Sequence, residues 1–128
     1  MDTINSDVKK VIENAEIVTI ATCGEKGPHL VATWSDFVKS LDINDGKTIV
    51  IPAGGYSQTE KNLKENDRVE LLVGSKQVQG KSGMGTGYRL SGRAKIVTDG
   101  KLMELTKSKY SWARGALVIE VDKVEQLL

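Results

Sequence analysis

Val8, Val11, Ile12 and Ala15 fall at i, i+3, i+4 and i+7, the spacing of one face of an α-helix. They predict a helix over Asn5–Asn14. Asn5 or Ser6 is placed to cap it, and Asp7 suits the positive end of its dipole. Downstream the pattern shortens to strands. Ile17–Thr22 and His29–Trp34 flank Gly24-Glu25-Lys26-Gly27-Pro28, whose glycines and proline make a turn, so the two form a hairpin. Phe37–Leu41 reads as a further short strand. Asn44-Asp45-Gly46-Lys47 carries an Asp-Gly hairpin signal leading into Thr48–Pro52. In that segment Ile49, Val50 and Ile51 run too continuously for a half-exposed strand.

Gly54-Gly55 breaks the strand, and Ser57–Lys64 predicts a short helix that Asn66-Asp67 stops. Arg68–Gly74 is a Val- and Leu-rich strand, Gly80–Gly87 a glycine-dense loop, and Tyr88–Thr98 another strand. Asp99–Ser108 predicts a second short helix with Leu102 and Leu105 inward, and Gly115–Val124 a last strand. Short strands at this spacing with few helices indicate a small β-barrel or a sandwich, and periodicity does not choose between them.

Composition narrows the function classes. A chain of 128 residues is one domain's worth, and 39% hydrophobic with 27% charged residues excludes wholesale disorder. Eighteen basic residues against seventeen acidic leave a net charge of +1, which gives no footprint for nucleic acid or an anionic membrane. Asp2, Asp7, Lys9, Lys10 and Glu13 stand where a signal peptide needs an apolar stretch, and nowhere do eighteen apolar residues run together. A cytoplasmic protein is the expectation. Cys23, the only cysteine, has no internal disulfide partner.

The same inventory limits catalysis. His29 is the only histidine, so a nucleophile–His arrangement or a zinc site has little to draw on. The carboxylates form no evident pair. No catalytic side chain and no metal site is expected, and any difficult chemistry belongs to something bound.

Three segments resemble phosphate-binding loops. Gly80-Lys81-Ser82 has the end of a P-loop, but Ser75 stands where its first glycine belongs. Gly83-Met84-Gly85-Thr86-Gly87 has a misplaced third glycine and a strand after it. Gly54-Gly55-Tyr56-Ser57-Gln58-Thr59-Glu60 is different: it follows a buried strand and opens a helix. Its glycines let backbone approach a ligand, and unpaired helical N–H groups favour an anion there. Ser57 and Glu60 also have capping-box spacing, an equally good structural reading. Trp34 and Trp112 sit outside apolar runs, where they could stack on a flat ligand or fill a barrel mouth. Leu127-Leu128 is an apolar C-terminus that calls for a packing partner.

Taken in order, these segments resemble a known family. They are Ala21-Thr22 with Gly24-Glu25, Gly27-Pro28-His29-Leu30-Val31, Thr33-Trp34, Pro52 with Gly54-Gly55, and Thr59-Glu60. Gly74-Ser75, Gly85-Thr86-Gly87, Thr98-Asp99-Gly100, Trp112-Ala113-Arg114, Ala116-Leu117-Val118-Ile119 and Glu125-Gln126 with Leu128 complete the series. From about Ile17 to Leu128 the chain resembles the FMN-binding split-barrel proteins of the pyridoxamine-5′-phosphate-oxidase-like superfamily, closest to its small dimeric members from sulfate-reducing bacteria. The resemblance implies one domain over residues 1–128: a six-stranded antiparallel Greek-key split β-barrel with a few short helices. It implies a homodimer with one FMN per subunit near the interface.

Carried over by position, Thr33 and Trp34 lie along the flavin, Gly54 and Gly55 pass beside its rings, and Thr59 binds its phosphate. Trp112 flanks the isoalloxazine, and Leu128 reaches the other subunit's flavin. Phe37 stands where the similar proteins have Tyr, Gln58 where they have a phosphate-loop Lys, and Ala32 where they have Asn. A neutral amide replaces a point charge at Gln58, which weakens phosphate binding unless Lys61 or Lys76 compensates. The function implied is FMN-dependent electron transfer or flavin reduction, with NAD(P)H or a redox protein as donor. The alternatives are pyridoxamine-5′-phosphate oxidation, whose enzymes are longer at the C-terminus, and a non-catalytic flavin or haem module. Haem would draw an axial ligand from His29, Cys23 or a Met.

Overall fold

A computed structural model describes residues 3–128; Asp2 lies outside them. Regular structure begins at Asn5, whose side chain accepts a hydrogen bond from the Val8 amide at 3.1 Å and caps α1 (Ser6–Asn14). Val8, Val11 and Ile12 are buried, as their spacing requires. β1 (Ile17–Gly24) and β2 (Gly27–Trp34) pair from Ile17↔Trp34 to Gly24↔Gly27. Glu25 and Lys26 form the turn, and Gly27 takes a φ of +96°, which glycine adopts freely.

The strand predicted at Phe37–Leu41 is not formed. Ser35–Lys39 is instead a short helix, α2. Ser35 is tied to the end of α1, its hydroxyl to the Ile12 carbonyl and its amide to the Glu16 carbonyl at 2.9 Å. Ser35, Val38 and Leu41 are buried at three-residue spacing, a helical rather than a strand period. The Asp-Gly signal is real, but it makes a lead-in rather than a hairpin. The Asp45 carboxylate accepts from the amides of Lys47 (3.0 Å) and Thr48 (2.7 Å) and launches β3 (Thr48–Ala53).

The remaining elements are α3 (Ser57–Glu65), β4 (Arg68–Gln79), β5 (Met84–Val97), α4 (Lys101–Lys109) and β6 (Gly115–Gln126). The loop predicted at Gly80–Gly87 shrinks to Gly80–Gly83, because β4 and β5 extend into one long hairpin and absorb Gly85 and Gly87. In α4, Met103 and Thr106 are the buried residues, Leu102 is half-buried and Leu105 is 41% exposed, so the inward face is turned by one position from the predicted one.

All six strands join one antiparallel sheet in the order β2-β1-β4-β5-β6-β3. Consecutive strands β4, β5 and β6 lie side by side, and β3 returns beside β6, which is a Greek key. The sheet curls around a core that includes Ile20, Ile51, Leu71, Leu90, Leu117 and Ile119. This is the split barrel rather than a sandwich. A second cluster of Leu41, Val50, Met103, Ala113 and Ala116 lies under α4. β3 therefore has cover on both faces, which explains its unbroken apolar run. In β1, by contrast, Val18, Ile20 and Thr22 are buried and alternate with more exposed residues. A bulge interrupts the β5–β6 ladder, where Ser91 pairs with Lys123 but Gly92 with Val121. A Cβ at Gly92 would lie 2.0 Å from the Glu120 carbonyl oxygen, so only glycine fits there.

Candidate functional site

The β3–β6 pairing ends at Ala53↔Gly115, and the Arg114 amide extends it by donating to the Ala53 carbonyl at 2.9 Å. That register lays the Gly54–Gly55 loop against the segment Trp112–Arg114. The Trp112 ring sits over Gly54, where an added Cβ would be 3.2 Å from its Cζ3. Nothing lies within 4 Å of the Cβ position of the exposed Gly55, which faces open space. Trp112 is 53% exposed and belongs to a three-ring cluster. Its centroid is 5.7 Å from Phe37 and 5.6 Å from Tyr110, and Phe37 meets Tyr110 edge-on at 5.2 Å. The Tyr110 hydroxyl shares a 2.7 Å hydrogen bond with the Ser40 hydroxyl. Both tryptophans are largely exposed, Trp34 at 61%, so neither fills the core.

The start of α3 leaves polar groups without partners. Tyr56, its N-cap, has a left-handed backbone (φ +68°) and makes no side-chain cap. Of the two readings that the Ser57–Glu60 spacing left open, the capping box does not form: Glu60 instead accepts from Arg114 Nη1 at 3.1 Å. The first-turn amides before Glu60 have no acceptor within the helix. Thr59 is fully buried, and its Oγ1 is the single buried side-chain polar atom without a hydrogen-bond partner among the described residues. Leaving a buried hydroxyl unmet costs about 1–3 kcal/mol, so this position calls for a ligand acceptor.

Gln58 is used differently. Its Nε2 donates to Asn62 Oδ1 at 2.9 Å, and Asn62 Nδ2 donates to Thr22 Oγ1 at 3.1 Å. A Cβ at Gly24 would strike Asn62 Oδ1 at 2.2 Å, so that glycine clears the space for the chain of amides. Gln58 thus braces α3 against β1. Arg114 ties the loop from the other side: Nε donates to the Gly55 carbonyl at 3.0 Å while Nη1 meets Glu60. Arg114 was visible in the sequence only as part of a matching segment, and Asn62 not at all. A cavity of about 360 Å³ between α3 and β5–β6 shares Glu60 with this site but none of the predicted residues.

The structure therefore brings Phe37, Gly54 and Trp112 into one cluster, with Gly55, Gln58 and Thr59 following along the chain. Thr33 and Trp34 close β2, just before α2; Thr33 is half-buried opposite Val18, while Trp34 lies on the exposed face opposite Ile17, and the ring cluster of Phe37, Tyr110 and Trp112 does not include it. Leu128 is elsewhere. Its carbonyl accepts from Thr86 Oγ1 at 2.7 Å, and the Leu127 amide donates to Gly87 at 2.8 Å, while the Leu128 side chain stays exposed. β6 has 12 residues, so at ~3.3 Å per residue its two ends are at most roughly 36 Å apart, and Leu128 follows the end away from Arg114. Lys76 lines the same groove as Leu128, and Lys61 is exposed on α3. His29 and Cys23 lie on the β1–β2 hairpin, where the exposed Cys23 thiol is 3.9 Å from the carbonyl of its neighbour Gly24.

The protein family described as pyridoxamine 5′-phosphate oxidase matches residues 4–128. A protein of Nitratidesulfovibrio vulgaris (strain Miyazaki F) named FMN-binding protein is 45% identical over 119 residues, covering 93% of this chain and 94% of its own. Among solved structures, HupZ of Group A Streptococcus matches with a TM-score of 0.74 at 24% identity, over 97% of this chain and 94% of that one. An FMN-binding protein of Syntrophomonas wolfei matches with a TM-score of 0.68 at 17% identity, over 95% and 84%. At those identities the two structures bear on the fold.

Proposed function

The chain belongs to the pyridoxamine 5′-phosphate oxidase family, and from that premise we propose that it binds FMN and serves as an electron carrier or flavin-reductase-type oxidoreductase. The observation that carries this reading is the orphaned Thr59 hydroxyl at the uncapped start of α3, behind a two-glycine loop and beside an exposed indole. FMN supplies one- and two-electron chemistry when bound. The first-turn amides of α3 and Thr59 Oγ1 hold its phosphate. The open space beside Gly55 would leave room for the ring system, and Trp112 and Phe37 would offer it flat apolar contact. The residues gathered there are donors, glycines and aromatics, which suits holding and tuning a cofactor more than acid–base work.

The site is completed by a second copy. Leu128 follows the end of β6 opposite to the end that meets the glycine loop, so it is placed to serve the site of a second chain rather than its own. The outer face of β1, β2 and β4 offers the surface for pairing: Ile17, Leu30, Trp34 and Leu72 are all 46% exposed or more and share that face by register. On this reading the unit is a homodimer, and its electron donor is NAD(P)H or a small redox protein.

Titrating the cofactor-free protein with FMN tests the reading directly. Binding should quench flavin and tryptophan fluorescence together at one FMN per chain, and sedimentation should report two chains per particle. A protein that takes up no FMN under these conditions is not a flavoprotein. Anaerobic mixing with NAD(P)H then separates the roles: rapid bleaching of flavin absorbance marks a reductase, and its absence with reduction by a protein donor marks a carrier.

A further inference from the structure

We propose that Arg114 is a positioning residue that cancels the charge of Glu60, and so lets the start of α3 select a phosphate-bearing flavin over one without phosphate. This rests on the flavin reading above. Glu60 lies in the first turn of α3, where the helix dipole attracts any anion. Its side chain is only 26% exposed. Left alone, that carboxylate would occupy the favourable field itself and repel a phosphate at Thr59, the residue before it. A helix start with such a carboxylate is a poor phosphate site, yet the unpartnered, buried Thr59 hydroxyl marks this one as a ligand site.

Arg114 resolves the conflict. Its guanidinium is fixed on two sides, donating through Nε and Nη2 to the Gly55 carbonyl and through Nη1 to Glu60 Oε1 at 3.1 Å. Its own amide is anchored to Ala53. The planar fork can hold a carbonyl and a carboxylate at once, which an ammonium on a flexible stem does less well. Glu60 is thereby neutralised without leaving the first turn, and the amides and Thr59 face an incoming phosphate with no net negative neighbour on that side. The arrangement also accounts for a phosphate loop that carries Gln58, since Gln58 is committed to Asn62.

The test is the ratio of dissociation constants for riboflavin and FMN, measured by fluorescence titration of the full chain. Wild type should favour FMN. In Arg114→Gln the ratio should fall by about tenfold or more, because Glu60 now opposes the phosphate. In the double variant Glu60→Gln/Arg114→Gln the ratio should recover to within about threefold of wild type, the opposing charge being gone. If Arg114→Gln weakens both flavins equally, Arg114 is only a tether for the loop and the proposal falls. It falls equally if the double variant stays as poor as the single one. Should Arg114→Gln fail to fold, Arg114→Lys keeps the charge and should hold the ratio to within about threefold, the small loss reflecting the poorer fork; a loss of about tenfold also overturns the proposal. A wild type that binds both flavins alike refutes the proposal and leaves flavin binding standing, whereas one that binds neither refutes the flavin reading itself.

Discussion

The two halves of the sheet are finished in different ways. On the β3–β6 side both faces are covered by the chain itself: Ile49 and Ile51 enter the main core, and Val50 and Ala116 enter the cluster under α4. On the β1–β2 side only the inner face is covered, and Ile17, Leu30, Trp34 and Leu72 stand exposed outside. The glycine loop and Trp112 are attached to the covered half, and α3 with Thr59 reaches from that loop to β1, while Trp34 and the surface proposed for a second copy belong to the open half. The difference separates two tasks. One half fixes the geometry of a binding site, and the other half keeps apolar area in reserve for assembly.

That contrast can be broken experimentally. The largest effect should come from the covered half: Leu117→Ala, at a fully buried position, should cost about 2–5 kcal/mol in urea unfolding. A loss under about 1 kcal/mol would mean that this half is not the structural anchor. On the open half, Leu72→Glu should leave far-ultraviolet circular dichroism intact while sedimentation shifts from two chains to one, and FMN should bind more weakly for want of Leu128 from a second copy. An unaltered dimer would place the interface elsewhere. Thr59→Val should weaken FMN by about 1–3 kcal/mol while thermal stability holds or rises, since it removes a buried hydroxyl that has no partner. Unchanged FMN titration curves would remove Thr59 from the site.

The smallest effect concerns the charged rows on the strands. Hydrogen bonding to Arg68 holds the Asp122 carboxyl below its usual range, and Lys123 and Arg89 do the same for Glu125. A carboxylate whose folded pKa is lowered stabilises the fold above its ordinary value, and that contribution fades as pH falls through the folded value. The urea midpoint should therefore drop below about pH 4, slightly more in wild type than in Asp122→Asn. Equal curves would show the exposed pair to be energetically silent.

The sequence exposed the features that depend on local pattern. Val8, Val11 and Ile12 announced α1, and the unbroken Ile49–Ile51 run announced a strand covered on both sides. Six strands and a Greek key came from the family resemblance rather than from periodicity, which left barrel and sandwich open. The errors share one cause. Phe37 and Leu41 look strand-like in isolation, and only the tie from Ser35 to the end of α1 makes the segment helical. Ser57 and Glu60 have a capping spacing that Arg114, more than fifty residues downstream, takes apart. The Gly54–Thr59 loop and Trp112 were legible as separate candidates, but their meeting depends on the β3–β6 register, which no local window contains.

The bulge opposite Gly92 has a consequence for the far end of the chain. Leu117, Ile119 and Val121 point inward at intervals of two, and the next residue packed on the core is Val124, an interval of three. One extra residue has inverted the phase of everything after it. Pairing β6 straight through with Asp122 retained would leave the Arg114 end untouched and turn the residues from Lys123 onward to the opposite side of the sheet, whereas deleting Asp122 would keep them on the faces they have. The bulge is a parity switch, and it decides which face of the barrel the C-terminal leucines belong to.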